Sequence, residues 1–196
     1  MPRPLSLHIA SMMGMAIGKA CVAFPGLAVK GVVVCVLGDT STGNPVAIEY
    51  KIPGLNDGDC SACGRGRAAG GLSGNAKCLL ESIDAFLHGK GMPDASILNE
   101  PSLAKYLSTP FTRRVVEALL QTKPGETITY AELAAKAGVP GGARAVGNVM
   151  RRNPFPIAIP CHRVVSRAGL GGYSGDVRGI SLQIKQALLD IEASRK

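Results

Sequence analysis

Two kinds of hydrophobic spacing divide this chain. Up to about residue 52, apolar residues come in short runs. Ala28 to Leu37 is apolar and rich in β-branched residues, and Pro45 to Ile52 follows it, so both predict strands. From residue 75 onward the spacing turns helical. Asn75 to His88 sets Cys78, Leu79, Ile83, Phe86 and Leu87 on one face and stops at Gly89, which predicts an amphipathic helix. His88 then falls at a helix end, where a cation suits the dipole. Between these patterns, Gly54 to Gly74 holds seven glycines and reads as a long connection. Gly89 to Pro101, with two prolines and two glycines, is the best candidate linker.

The second half is more regular and its helix ends can be read directly. Thr109-Pro110 supplies a cap followed by Pro at the first helical position. Phe111, Val115, Val116, Leu119 and Leu120 line one face until Lys123-Pro124-Gly125 breaks the helix. Thr129-Tyr130-Ala131-Glu132 is a capping box opening a helix that ends at Gly138. After Val139-Pro140-Gly141, a helix over about residues 142–152 turns Ala143, Val146, Gly147 and Met150 inward and leaves Arg144, Asn148, Arg151 and Arg152 outside. Two short helices joined by a glycine-containing turn, the second small-residued and arginine-faced, read as a helix-turn-helix. An ordinary αα-hairpin with a solvated basic face would show the same pattern. A last helix, roughly Ser181 to Glu192, buries Ile184, Ala187, Leu188 and Ile191 and projects Lys185 and Glu192 from nearly one face. The predicted class is α+β: residues 1–90 an α/β domain, 91–107 a linker, 108–196 a mainly helical domain.

Composition narrows the function classes. The chain has 196 residues, 46% of them hydrophobic, with no Trp, so it is globular with an aliphatic core. No apolar run approaches the ~20 residues of a membrane helix, and no signal peptide is apparent, which predicts a cytosolic protein, or a nuclear one in a eukaryote. Charge is asymmetric. Residues 1–107 carry nine Lys/Arg against eight Asp/Glu, and residues 108–196 carry thirteen against six, so +7 of the net +8 lies in the second half. That is the footprint expected for a polyanion partner, and equally of a basic soluble surface. Six cysteines without a secretory signal do not suggest a disulfide scaffold. Cys60-Ser61-Ala62-Cys63 has the spacing of half a zinc site, which Cys21, Cys35, Cys78 or His8 could complete, but a local disulfide or plain loop thiols fit as well.

Candidate chemistry centres on Ile159-Pro160-Cys161-His162-Arg163-Val164-Val165. A thiol reacts as its thiolate, and Cys161 has a base and a cation within two residues. Adjacency alone proves little, since neighbouring strand residues point apart. A Glu192 held against His162 would fix its tautomer and raise its basicity.

Residues 109–192 resemble the O6-alkylguanine-DNA alkyltransferases. The resemblance rests on Thr127-Ile128-Thr129-Tyr130, Ala143-Arg144-Ala145-Val146-Gly147, Arg152-Asn153-Pro154, Ile159 to Val165, Gly172-Tyr173-Ser174-Gly175, and Leu188-Leu189 with Glu192. It implies a small RNase H-like α/β N-terminal domain and a winged-helix-like C-terminal domain. It implies Cys161 as the acceptor that keeps the alkyl group irreversibly, with activity on O4-alkylthymine left open. His162 would deprotonate Cys161 through a water, Glu192 would orient His162, and Tyr130 would donate to the departing guanine. Arg144 would fill the base stack vacated by a flipped nucleotide. Arg151, Arg152, Asn148 and Thr129 would contact DNA. Met150, Asn153, Pro156, Val164, Tyr173, Ser174, Gly175 and Lys185 would line or brace the guanine pocket. The implied partner is double-stranded DNA containing O6-alkylguanine, bound by a monomer that uses no cofactor or metal and no membrane.

Two features depart from the family pattern: a longer stretch between Tyr173 and Lys185, and Asp176 where Gly is common. Both bear on the pocket rim and hence on alkyl size. Two other classes share parts of the pattern. A binding-only protein would keep the helix-turn-helix without transfer, and a Cys-His hydrolase would leave the arginine-faced helix unexplained.

Overall fold

The computed structural model describes residues 17–24, 32–39, 41–42, 45–51, 74–93, 101–174 and 179–195. Residues 54–73 of the expected Gly54–Gly74 connection, which include Cys60 and Cys63, lie outside these residues, as do His8, Gly175 and Asp176. The chain divides into two compact units, Met1–Ser102 and Leu103–Lys196.

The first unit holds an antiparallel sheet of β1 (Ile17–Ala23), β2 (Val33–Asp39) and β3 (Pro45–Lys51), in that order. Val34, Cys35, Val36 and Leu37 are all buried, so the central strand takes an apolar residue on both faces rather than alternating. The strand ends at Asp39, whose carboxylate accepts from Ser41 N (2.9 Å), Ser41 Oγ (2.7 Å) and Thr42 Oγ1 (3.0 Å) and so fixes the turn. Helix α1 (Gly74–Leu87) packs on the sheet through Leu79, Leu80, Ile83, Phe86 and Leu87. After it, His88 Nδ1 lies 2.9 Å from Asp84 O.

Three features differ from the sequence reading. Strand β1 was not expected, because Gly18, Lys19 and Ala20 dilute its β signal. Strand β2 runs on to Asp39 rather than ending at Leu37. Cys35 is disulfide-bonded, whereas Cys78 and Cys161 are free thiols.

The second unit opens with α2 (Pro101–Tyr106), which occupies the end of the stretch expected as a linker, and continues with α3 (Pro110–Leu120). Thr109 caps α3 by accepting from Thr112 N at 3.1 Å, with Pro110 in the first turn. A two-residue strand, β4 (Ile128–Thr129), pairs in parallel with β5 (Val164–Val165). Helix α4 (Tyr130–Lys136) starts from the capping box: Glu132 N donates to Thr129 Oγ1 (3.2 Å), and Thr129 N donates to Glu132 Oε2 (2.8 Å). The chain leaves α4 through Gly138 (φ +77°) and Gly141 (φ +84°), left-handed positions that suit glycine. It then enters α5 (Ala143–Arg151), which packs on α4. Val146, Val149 and Met150 are buried, while Arg144, Asn148, Arg151 and Arg152 are exposed. The last helix, α6 (Ile180–Ala193), buries Ile184, Lys185, Leu188 and Glu192. Among the described residues, no helix is long and apolar enough to cross a membrane.

Thr129→Ala removes the hydroxyl that satisfies the Glu132 amide. It should cost about 1 kcal/mol, the usual worth of such a cap. Thermal melting with an unchanged midpoint would show that β4–β5 pairing, not the cap, starts α4.

Candidate active site

The segment from Asn153 to Cys161 forms a closed loop between α5 and a single 3-10 turn, Cys161–Arg163. Asn153 holds both ends of the loop. Its Nδ2 donates to Ile159 O (3.0 Å), and its Oδ1 accepts from Phe155 N (3.0 Å). Ile159 N closes the turn on Phe155 O at 2.8 Å. Inside the loop Ile157 sits at φ +75°, a left-handed conformation costly for a β-branched residue, and its burial at 2% exposure holds it there. The loop delivers Cys161 to the interior, where it is 6% exposed.

Behind Cys161 lies a buried charge cluster. His162 Nε2 is 3.0 Å from Glu192 Oε1. Arg163 donates from Nε to Glu192 Oε2 (2.9 Å) and from Nη2 to Oε1 (2.7 Å), and its Nη1 donates to Thr122 O (2.6 Å). Gly125 N donates to Glu192 Oε2 at 2.9 Å. One carboxylate thus joins α6, the 3-10 turn and the loop that ends α3. Arg163 had been read as a cation near the thiol. Its guanidinium instead serves Glu192 and Thr122, a commitment that adjacency in sequence does not reveal.

Electrostatics set the resting protonation. Burial raises Glu192, but hydrogen bonds from His162 and Arg163 outweigh it and hold the carboxyl at about 2, so it is ionised. Burial pushes His162 below the ordinary imidazole value despite Glu192, so the ring is neutral at pH 7. A carboxylate only accepts, so Nε2 carries the proton and Nδ1 holds the lone pair. Burial also raises the Cys161 thiol, opposed by the Asn153 side chain and the Lys185 charge. At rest the set is therefore thiol, neutral imidazole and carboxylate, an arrangement for general-base activation of a nucleophile.

A second set of bonds gathers the backbone carbonyls of Val164, Leu170 and Gly172. Lys185, fully buried and lowered by burial to about 8, donates from Nζ to Val164 O (2.6 Å), Leu170 O (2.5 Å) and Gly172 O (3.1 Å). Tyr130 Oη also donates to Gly172 O, at 3.3 Å. A Cβ on Gly171 (φ +71°) would lie 3.0 Å from Tyr130 Cε2 and 3.2 Å from Ser166 N, so a side chain there would be strained and would press on the ring. Met150, Pro156, Val164 and Tyr173 are buried, and Ser174 is exposed at φ +50°. The Thr129 hydroxyl, expected on DNA, donates to Glu132 Oε2 at 2.7 Å as part of the cap. Thr122, Gly125 and Tyr106 were not singled out from sequence. Tyr106 Oη donates to Val149 O at 3.1 Å, a contact 43 residues apart that no local pattern encodes.

Residues 110–194 match a family model described as 6-O-methylguanine DNA methyltransferase, DNA binding domain. The chain is 40% identical over 118 residues to the methylated-DNA–protein-cysteine methyltransferase of Methanothermobacter thermautotrophicus, spanning 59% of this chain and 60% of that protein. It is 53% identical over 87 residues to the Homo sapiens protein of the same name, spanning 43% of this chain and 40% of that one. The chain thus covers less than two thirds of these relatives. Among solved structures, the O6-methylguanine-DNA methyltransferase of the hyperthermophilic archaeon Pyrococcus kodakaraensis superposes with a TM-score of 0.61 at 27% identity, over 89% of this chain and 99% of that one. Mycobacterium tuberculosis OGT in complex with DNA gives 0.59 at 24% identity, over 90% and 93%, a likeness of fold.

Glu192 lies at about 2 here against an ordinary 4.5. A carboxyl depressed on folding contributes stability that is fully present above its unfolded value and lost as pH falls through its folded value. Glu192→Gln should therefore lower stability at pH 7 by on the order of 3 kcal/mol, and the melting midpoint with it, because the Arg163 charge is left buried without its carboxylate. The gap from wild type should narrow as pH falls from 4.5 toward 2. A gap constant across that window would mean that shape, not charge, is what Glu192 supplies.

Proposed function

We propose that this chain, whose residues 110–194 match the 6-O-methylguanine DNA methyltransferase family model, repairs DNA by moving an alkyl group from O6 of guanine onto its own Cys161. The observation that carries the reading is a buried Cys161 thiol next in sequence to a neutral His162 that bonds the ionised Glu192 at 3.0 Å, on the unit that also presents the arginine face of α5.

In the proposed step, the Cys161 proton passes to Nδ1 of His162 through a bridging water. The imidazolium that forms is stabilised by Glu192. The thiolate sulfur attacks the alkyl carbon; the S–C bond forms as the C–O6 bond breaks, and the electron pair stays on O6 of the departing guanine. Tyr130 donates a hydrogen bond or proton to that base. A thioether has no facile hydrolysis, unlike an acyl-enzyme, so each molecule acts once. Asn153 braces the loop below the thiol. Met150, Pro156, Val164, Tyr173, Ser174, Gly175 and the Lys185-held carbonyls line the guanine site.

An atom inside a duplex is out of reach, so the target nucleotide must be flipped out, with Arg144 filling the gap in the stack. Arg151, Arg152, Asn148 and Thr129 then hold the backbone. This reading takes α4–α5 as a helix-turn-helix in a winged-helix-like unit and the first unit as RNase H-like. The proposed partner is double-stranded DNA carrying O6-alkylguanine, met by a monomer in the cytosol or nucleus.

Mass spectrometry after incubation with a duplex containing O6-methylguanine tests the transfer. One stable adduct of about 14 Da, the mass of a methylene, should map to Cys161 and be absent from Cys161→Ser, whose hydroxyl cannot ionise near pH 7. An adduct on Cys78, or substrate turnover beyond one equivalent, would overturn the assignment.

Arg144→Ala should slow repair of the duplex far more than reaction with free O6-benzylguanine, which needs no flipping. Arg151→Ala should instead weaken binding to all sequences and flatten the salt dependence by about one unit of log-log slope. Equal losses of Arg144→Ala on both substrates would place Arg144 in the pocket.

A further inference from the structure

Helix α3 carries two arginines that the acceptor site does not use. Its apolar side turns Val115, Val116 and Leu119 inward, which leaves Arg113 and Arg114 exposed. Arg114 is nonetheless held in place. Its Nε donates to Ala137 O at 2.8 Å, across 23 residues of sequence. Ala137 closes α4, and the last carbonyls of a helix lack partners within it and carry the negative end of its dipole. The turn that follows spends its own amides elsewhere, Gly138 N on Ala135 O and Val139 N on Ala134 O, both at 2.9 Å. Ala137 O is thereby left to the guanidinium. A Cβ on Gly138 would lie 3.9 Å from Arg114 Nε, so the guanidinium rests against the start of the turn that enters α5. That turn is tight, with Gly142 N on Val139 O at 2.9 Å, and it leads directly to the exposed Arg144.

A guanidinium has five N–H donors, and the Nε bond uses one of them. Among the described residues Arg114 makes no other side-chain bond and no ion pair. The fork is thus fixed at one edge and open at the other, in the planar geometry that matches phosphate oxygens. An arginine already held in this way gives up less side-chain freedom when it binds. Where a helix enters the major groove by its N-terminal end, the element before it meets the backbone that borders the groove. We propose that Arg114 is a phosphate-contact residue whose guanidinium, anchored on the end of α4, clamps a backbone phosphate of the duplex beside the turn into α5. This rests on the reading of α5 as the helix that enters DNA. The DNA-facing surface then extends from α5 onto α3, and the end of α5 that carries Arg144 gains a fixed point on the backbone. A phosphate contact positions without reading sequence, so Arg114 adds affinity for any duplex and takes no part in the chemistry at Cys161.

Three variants of the full chain are compared. Arg114→Gln removes the charge, Arg114→Lys keeps it without the fork or the Nε anchor, and Lys123→Gln removes an exposed charge just past the other end of α3. Affinity for an unmodified duplex is measured over a range of salt concentrations. Arg114→Gln should weaken binding about tenfold at low salt, the worth of one charge-assisted bond, and flatten the log-log salt slope by about one unit. Arg114→Lys should keep most of the slope and regain only part of the affinity. Lys123→Gln should leave the slope close to that of wild type. The rate with free O6-benzylguanine should stay within about twofold of wild type in all three, while Arg114→Gln raises the half-saturation concentration of the duplex reaction rather than lowering its limiting rate. An unchanged slope in Arg114→Gln, or an equal loss in Lys123→Gln, would overturn the proposal and leave Arg114 as a cap of α4 alone. Equal slowing with free base and duplex would overturn it too. If Arg114→Gln melts more than about 5 °C below wild type, Arg114→Lys carries the test: a kept slope supports the phosphate contact, and a lost one overturns it. Arg151→Ala separates this contact from the reading beneath it. A slope lost in Arg151→Ala but kept in Arg114→Gln rejects the Arg114 contact alone, and a slope kept in both rejects α5 as the DNA helix.

Discussion

The second unit depends on one buried carboxylate. Glu192 is almost fully enclosed, and a charge in such a place is tolerated only when donors surround it. It receives them from His162, Arg163 and Gly125, which belong to the 3-10 turn and to the loop after α3. The helix break at Lys123-Pro124-Gly125 is therefore more than a stop signal. It turns an amide toward the carboxylate, and Thr122 one step earlier takes the free end of the Arg163 guanidinium. Glu192, Arg163 and His162 form one unit in which the neighbour of Cys161 is oriented by the group that also holds three elements together.

This arrangement separates duties that adjacency in sequence would merge. Burial, with a smaller contribution from the Arg163 charge, leaves His162 neutral and able to take a proton. Lys185, seven residues before Glu192 on α6, gathers three carbonyls around one ammonium, matching its three N–H donors. The strained Ile157 and the Asn153 clasp fix the loop that carries Cys161 into the interior. One helix thus supplies both the carboxylate that bonds His162 and the cation that gathers the carbonyls of Val164, Leu170 and Gly172.

Much of this was legible in the sequence where a local rule applies. Thr109, Thr129 and Glu132 announced their helix starts because capping is a contact over three residues. The arginine face of α5 followed from helical period alone. Pairing of His162 with Glu192 came from the family resemblance and from the placement of Glu192 on α6, and the bond is present. Features set by distant contacts were missed. Strand β1 is too poor in β-branched residues to stand out and is held by its pairing with β2. The bonds of Arg163 to Thr122 and of Tyr106 to Val149 span 41 and 43 residues, and nothing in their own neighbourhoods signals them. The disulfide at Cys35 was likewise invisible to composition, which speaks about compartments and not about which thiols meet.

Burial keeps His162 neutral, while Glu192 fixes its proton on Nε2 and leaves Nδ1 ready to accept another. Nitrogen-15 NMR of histidine-labelled protein at pH 7 reads both ring nitrogens directly. The account predicts one protonated nitrogen, Nε2, and one bare nitrogen, Nδ1, with the pattern persisting below pH 6.5, the ordinary imidazole value. Two protonated ring nitrogens at pH 7, or a proton on Nδ1 facing a bare Nε2, would contradict it.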